Sequence, residues 1–201
     1  MKPYVFIFDI GNVMLDFDLP GLQTRIAAAS QADLACVQRE WHHPDFIAVE
    51  SGKLDSKAYY ERFSSRIGLS WTFDRYKQEW ADIFSINSLG RGLYLALHQS
   101  GRPVAVLSNL AAHHVEAIER NDPDFFHVGN HHFLSFELGL HKPNPEIFLS
   151  VSQRLGVPVS CCVFLDDRIE NVRGAQAVGM HARQFRSDQS DAVTQFIGSF
   201  M

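Results

Sequence analysis

Four short polar segments each adjoin an apolar run or a turn: Asp9-Ile10-Gly11-Asn12-Val13, Ser108-Asn109, His141-Lys142-Pro143 and Asp166-Asp167. Together they supply a carboxylate, a hydroxyl with an amide, an ammonium and a carboxylate pair, which are the parts that phosphoryl transfer uses. Asp9 is a candidate nucleophile toward phosphorus, giving an aspartyl phosphate that water then hydrolyses. Lys142 offers a fixed positive charge for the equatorial oxygens of the transferring group, and Ser108 and Asn109 offer hydrogen bonds to the same oxygens. Asp9 and Asp167 can jointly hold Mg²⁺, a hard cation that takes few carboxylates and keeps waters for a phosphate to replace. Each segment also has a plainer reading. Asp9 and Ser108 suit ordinary turns, Lys142 a solvated surface, and Asp166-Asp167 the N-cap of a helix. Four such coincidences in this order are improbable.

Elements of the right kind stand where these groups must be held. Val5-Phe6-Ile7-Phe8, Val104-Ala105-Val106-Leu107 and the run from Cys161 to Leu165 are too short for helices and suit strands covered on both faces, as in a parallel sheet. The carboxyl ends of such strands share one edge, where α/β proteins bind their ligands. Between and after them, helices are expected over 89–100, 113–120 and 146–155, the last with Ile147, Phe148, Val151 and Leu155 on one side and closed by Gly156. A further helix after Asp167 carries Ile169, Val172 and Val178, and short strands are expected over 131–135 and 181–185.

From Asp16 to Ser88 no strand pattern is visible. Tyr59, Phe63 and Ile67 mark one helix face, and Phe73, Tyr76, Trp80, Ile83 and Phe84 a second, with Asp55 and either Ser70 or Thr72 as N-caps. Both stripes read as the insertion's own core, and His42-His43 before Pro44 as a solvent-exposed pair. The expected fold is α/β: a three-layer Rossmann-like parallel sheet from residues 1–15 and 89–201, with an α-helical cap inserted at 16–88.

Composition narrows the partners. The 201 residues carry a net charge of -5, and Lys and Arg are scattered, so there is no basic footprint for nucleic acid. No apolar run approaches the roughly 20 residues that span a bilayer, and the N-terminus lacks the order of a signal peptide. Cys36, Cys161 and Cys162 are odd in number and lack metal-site spacing, which points to a reducing compartment. A cytoplasmic protein, monomer or dimer, acting on a small molecule is expected.

The segments Phe8-Asp9-Ile10-Gly11-Asn12-Val13, Leu107-Ser108-Asn109, Leu138-Gly139-Leu140-His141-Lys142-Pro143 and Phe164-Leu165-Asp166-Asp167, with Asn171 and Gly174-Ala175 beyond, resemble the haloacid dehalogenase superfamily over nearly the whole chain. The resemblance implies that Asp9 is the nucleophile, that Asp9 and Asp167 ligate Mg²⁺ directly with the Gly11 carbonyl, and that Asp166 supports a metal-bound water. It also implies that the insertion is the family's helical cap. Within the superfamily, Asp-x-Gly-Asn-Val and Gly-Leu-His-Lys-Pro are most similar to sugar-phosphate phosphatases of the α-D-glucose-1-phosphate type. One departure stands out: the second Asp that serves those phosphatases as general acid and base is replaced by Gly11, with Asp16 and Asp18 as possible substitutes. Loss of that Asp also resembles the carbon-attacking dehalogenases, but these lack an acidic pair such as Asp166-Asp167. A binding protein that keeps the phosphate site without turnover is the other alternative.

Overall fold

The computed structural model describes residues 4–129 and 131–201, so residues 1–3 and 130 of the expected core lie outside the described residues. Strand β1 (Val5–Phe8) is apolar at every position because both its faces are covered. The chain leaves the sheet through β2 (Leu15–Phe17), forms α1 (Leu19–Ala28), α2 (Leu34–Glu40), α3 (Pro44–Glu50), α4 (Ser56–Ile67) and α5 (Phe73–Ala81), and returns through β3 (Phe84–Ile86). Helices and strands then largely alternate: α6 (Ser88–Gln99), β4 (Val104–Ser108), α7 (Ala112–Asn121), β5 (His132–Leu134), α8 (Ser135–Leu138), α9 (Pro145–Leu155), β6 (Cys162–Asp166), α10 (Ile169–Ala177), β7 (His181–Gln184) and α11 (Ser190–Gly198).

The main sheet is parallel throughout, in the order β5-β4-β1-β6-β7. Phe6 and Phe8 face one side with Tyr94, Leu97, Ile118, Val193 and Ile197, and Val5 and Ile7 face the other with Ile147, Phe148, Val151, Val172 and Ala175. This is the expected three-layer α/β arrangement. Phe8 pairs with Val106 on β4 and with Leu165 on β6, so the next residues, Asp9, Leu107-Ser108 and Asp166, reach one edge of the sheet together. Among the described residues no helix is long and apolar enough to cross a membrane.

The inserted helices have a core of their own, in which Tyr59, Tyr60, Phe63 and Ile67 of α4 meet Tyr76 and Trp80 of α5. Asp55 and Thr72 cap these helices as expected. Two expectations need correction. The stretch 16–88 does contain strand: β2 and β3 pair antiparallel, Leu15 with Ile86 and Phe17 with Phe84, at the seams of the insertion. Three residues on each side are too few to show alternation, and the partners are far apart in sequence. The second helix also stops at Ala81, so Ile83 and Phe84 lie beyond it, although the Phe84 ring still stacks on Trp80 at 6.4 Å.

The insertion rests on α7. Ala111 and Ala117 join its core, and His113 and His114 are buried at 0% and 3% exposure. His113 Nδ1 lies 3.0 Å from the Ser56 hydroxyl, and His114 Nδ1 accepts the Ala111 N–H at 3.2 Å while its ring packs 4.2 Å from that of Trp80. Burial depresses both imidazoles, His114 to about 3 and His113 well below its ordinary range, so both are neutral in the fold. The unfolded chain takes up protons below about pH 6.5 that the folded chain refuses, so this stability is present above that pH and is lost as pH falls toward 3. His114→Phe should therefore lose roughly 1.5 kcal/mol less than the native protein between pH 6.5 and 5, measured by urea unfolding. Identical losses in the two proteins would show that His114 is not held neutral.

Candidate active site

Asp9 follows β1 without leaving its register, its N–H donating to the Leu165 carbonyl at 2.9 Å. Its Oδ1 is surrounded by donors: the Ile10 N–H at 2.7 Å, the Ser108 hydroxyl at 2.6 Å and the Lys142 ammonium at 2.9 Å. Oδ2 takes no hydrogen bond among the described residues. Lys142, only 1% exposed, also pairs with Asp166 Oδ2 at 2.7 Å and donates to the Leu107 carbonyl at 2.9 Å. Those three contacts use all three ammonium hydrogens. Burial works against the charge of Lys142, but Asp166 and Asp9 outweigh it and hold its pKa above the ordinary lysine value.

The remaining predicted residues are drawn to the same place in different ways. Asp166 is fully buried and spent on its neighbours, its Oδ1 accepting the Arg168 N–H at 2.9 Å and both oxygens accepting from Asn171 Nδ2 at 2.9 and 3.1 Å. Asp167 accepts from Asn12 Nδ2 at 2.9 Å, and its carbonyl accepts from Gln184 Nε2 at 2.8 Å. Asn109 lines the site, but its side chain is engaged in holding the Lys142 segment: Oδ1 accepts the Lys142 N–H at 2.9 Å and Nδ2 donates to the Lys142 carbonyl at 3.0 Å. Sequence reasoning had placed that amide on the phosphoryl oxygens. The segments quoted from the sequence contained Asn12 and Asn171 but left both without a role.

Asp9, Asp166 and Asp167 each offer an oxygen, and these atoms lie within 4.8 Å of one another. Three carboxylates thus face one buried ammonium. Burial pushes Asp9 up to about 7, with Lys142 pulling it down and Asp166 and Asp167 pushing it further up, and burial raises Asp167 as well. Asn171 Oδ1, buried at the same site, has no hydrogen-bond partner among the described residues. A carboxylate excess with a spare acceptor beside it fits a hydrated divalent cation.

Above Asp9 lies a cavity of about 190 Å³ with Gly11, Ser108, Asn109, Lys142 and Asp167 in its floor. Phe17, Trp41, Phe46, Trp80 and Phe84 contribute to its walls, so two members of the helical stripe read as core also face the site. A Cβ at Gly11 would stand 3.0 Å from the Phe17 ring, so a side chain there would require the ring to give by a few tenths of an ångström. Asp16 accepts from Asn87 Nδ2 at 2.8 Å, Asp18 caps α1 through the Gly21 N–H at 2.9 Å, and neither lines the cavity. His42 is exposed, and His43 caps α3 by accepting the Asp45 N–H at 3.1 Å. Sequence reasoning missed Glu50 and His141, which meet at 2.9 Å beside Lys142.

The chain belongs to the haloacid dehalogenase-like hydrolase family, whose model matches residues 5–179. It is 25% identical over 186 residues, 89% of each chain, to the D-ribitol-5-phosphate phosphatase of Bacteroides thetaiotaomicron. It is 39% identical over 82 residues to the glyceraldehyde 3-phosphate phosphatase of Methanopyrus kandleri, a match that spans 32% of that protein. In three dimensions it resembles a haloacid dehalogenase family enzyme of Bacteroides thetaiotaomicron in complex with magnesium and inorganic phosphate, with a TM-score of 0.82, 19% identity and coverage of 94% of this chain and 96% of that one.

Removing the buried ammonium should expose how the site is held. Lys142→Met leaves Asp9 and Asp166 buried without their partner and should cost about 3–5 kcal/mol in urea unfolding with a chelator present. Ser108→Ala removes one hydrogen bond and should cost about 1 kcal/mol. Equal costs for the two variants would contradict this ordering.

Proposed function

We propose that the protein is a Mg²⁺-dependent phosphatase of a small phosphorylated metabolite, acting through an aspartyl phosphate on Asp9. The observation that carries this reading is the asymmetry of the Asp9 carboxyl. One oxygen is held by Ser108, Lys142 and a backbone N–H, the other takes no hydrogen bond among the described residues, and Asp167 brings a carboxylate oxygen within 4.8 Å of one from Asp9. Lys142 stabilises the ionised nucleophile and sets positive charge beside the phosphorus under attack, where charge develops. Ser108 fixes the rotation of the carboxyl, and Asn109 fixes the backbone that carries Lys142. Asp9, Asp167 and the Gly11 carbonyl are the proposed cation ligands, with Asp166 and Asn171 behind them. Bound there, Mg²⁺ would neutralise phosphoryl oxygens and offset the carboxylate excess.

The cavity is smaller than the roughly 300–1,000 Å³ of sites for drug-sized ligands, which suits a small ester. Sugar phosphates such as glucose 1-phosphate are the first candidates. The Gly11-Asn12-Val13 and Gly139-Leu140-His141-Lys142-Pro143 segments support them, as does the likeness to a ribitol phosphate phosphatase. The acidic pair argues against carbon–halide hydrolysis, because Asp167 beside Asp166 is costly without a cation to offset it.

The test is phosphate release from an aryl phosphate and a panel of sugar phosphates with Mg²⁺ or with a chelator. Release should require Mg²⁺ and should vanish in Asp9→Asn, whose amide is neither nucleophile nor anionic ligand. Metal-independent halide release from a 2-haloacid would establish the dehalogenase alternative, and phosphate-ester binding without turnover the non-catalytic one.

A further inference from the structure

Gly11 carries no acid, with the Phe17 ring 3.0 Å from where its Cβ would stand, and Asp16 and Asp18 are committed to Asn87 and to a helix cap. One further acid lines the cavity. Glu50 is the last residue of α3, 8% exposed, and shares the cavity with Asp9. Its backbone is anchored to the catalytic core, because the Ser135 hydroxyl donates to the Glu50 carbonyl. The turn after it has Gly52 at φ +67°, where a Cβ would run into the Phe136 carbonyl. The acid therefore comes from the insertion but is registered against the sheet domain.

A relay that starts at Lys142 orients the side chain. The Lys142 N–H takes Asn109 Oδ1, which turns the Asn109 amide nitrogen toward His141 Nδ1 at 3.2 Å. Nδ1 is then the acceptor, so His141 carries its proton on Nε2 and donates it to Glu50 Oε2 at 2.9 Å. Oε1 accepts no hydrogen bond among the described residues, and Glu50 lines the cavity.

We propose that Glu50 is the proton donor to the leaving group, in place of the carboxyl absent at Gly11, with His141 and Asn109 as positioning residues. This rests on the phosphatase reading above. As an Asp9 oxygen bonds to phosphorus and the bond from phosphorus to the leaving oxygen breaks, the proton on Glu50 Oε1 passes to that oxygen, leaving Glu50 a carboxylate. In the second half, a water oxygen bonds to phosphorus, the Asp9–phosphorus bond breaks, and Glu50 takes the proton of that water. Inorganic phosphate leaves, with Glu50 protonated again. Burial raises the Glu50 carboxyl against the pull of His141, Arg168 and Lys142, which is the direction a proton donor requires, and Tyr59 and Tyr76 are the other titratable groups that interact with it.

The test compares kcat/KM for p-nitrophenyl phosphate, whose phenolate leaves unaided, with kcat/KM for glycerol phosphate, whose alkoxide needs a proton. Glu50→Gln keeps an acceptor for His141 and should lower the alkyl kcat/KM by roughly 10²–10⁴-fold and the aryl kcat/KM far less, while kcat falls for both esters because Glu50 also serves the hydrolysis of the aspartyl phosphate that they share. In Glu50→Ala, added formate should restore part of the alkyl kcat/KM alone. Equal losses of kcat/KM on both esters in Glu50→Gln, or no formate effect in an alanine variant that retains aryl activity, would overturn the role of Glu50 and leave the phosphatase reading standing. Failure of the native protein to release phosphate from either ester would defeat that reading and the role of Glu50 with it.

Discussion

The site depends on one ammonium group lying between two carboxylates that have almost no solvent. Lys142 is 2.9 Å from Asp9 and 2.7 Å from Asp166, on residues that come from three separate parts of the chain. None of the three could be buried alone, because an isolated charge in the interior costs several kcal/mol. Their mutual requirement ties the end of β1, the loop before α9 and the end of β6 into one edge. The secondary contacts serve the same end, with Asn171 and the Arg168 N–H holding Asp166 from below and Asn109 holding the backbone of Lys142. The charge still does not balance, and that residual negative field fits the edge to a cation.

The insertion is joined to this edge by more than its two seams. α7 contributes Ala111, Ala117 and a pair of neutral histidines to a core otherwise built by α4 and α5, and Trp80 and Phe84 pass from that core into the wall of the cavity. The residues that stabilise the insertion and those that wall the cavity are thus partly the same. Substitutions in the wall should couple stability to substrate choice more tightly than they would on a loop.

Much of this was legible in the residues themselves. The apolar runs at 5, 104 and 162 have a pattern that only doubly covered strands satisfy, and each delivered its polar terminus to the common edge. Caps at Asp55 and Thr72 were legible because their chemistry is local. What escaped is what depends on distant pairing. β2 and β3 are three residues each and exist only through one another. The Glu50–His141 contact joins residues far apart in sequence, with no apolar period to announce it. The contacts of Asn109 to the Lys142 backbone also escaped, because a side-chain amide beside a serine looks alike whether it faces a ligand or the backbone of a neighbouring loop.

The Phe17 ring beside Gly11 also bears on how such a site can change over mutational history. A Cβ at residue 11 would press on the Phe17 ring at 3.0 Å, so substitutions at residues 11 and 17 act on one contact and should not add independently.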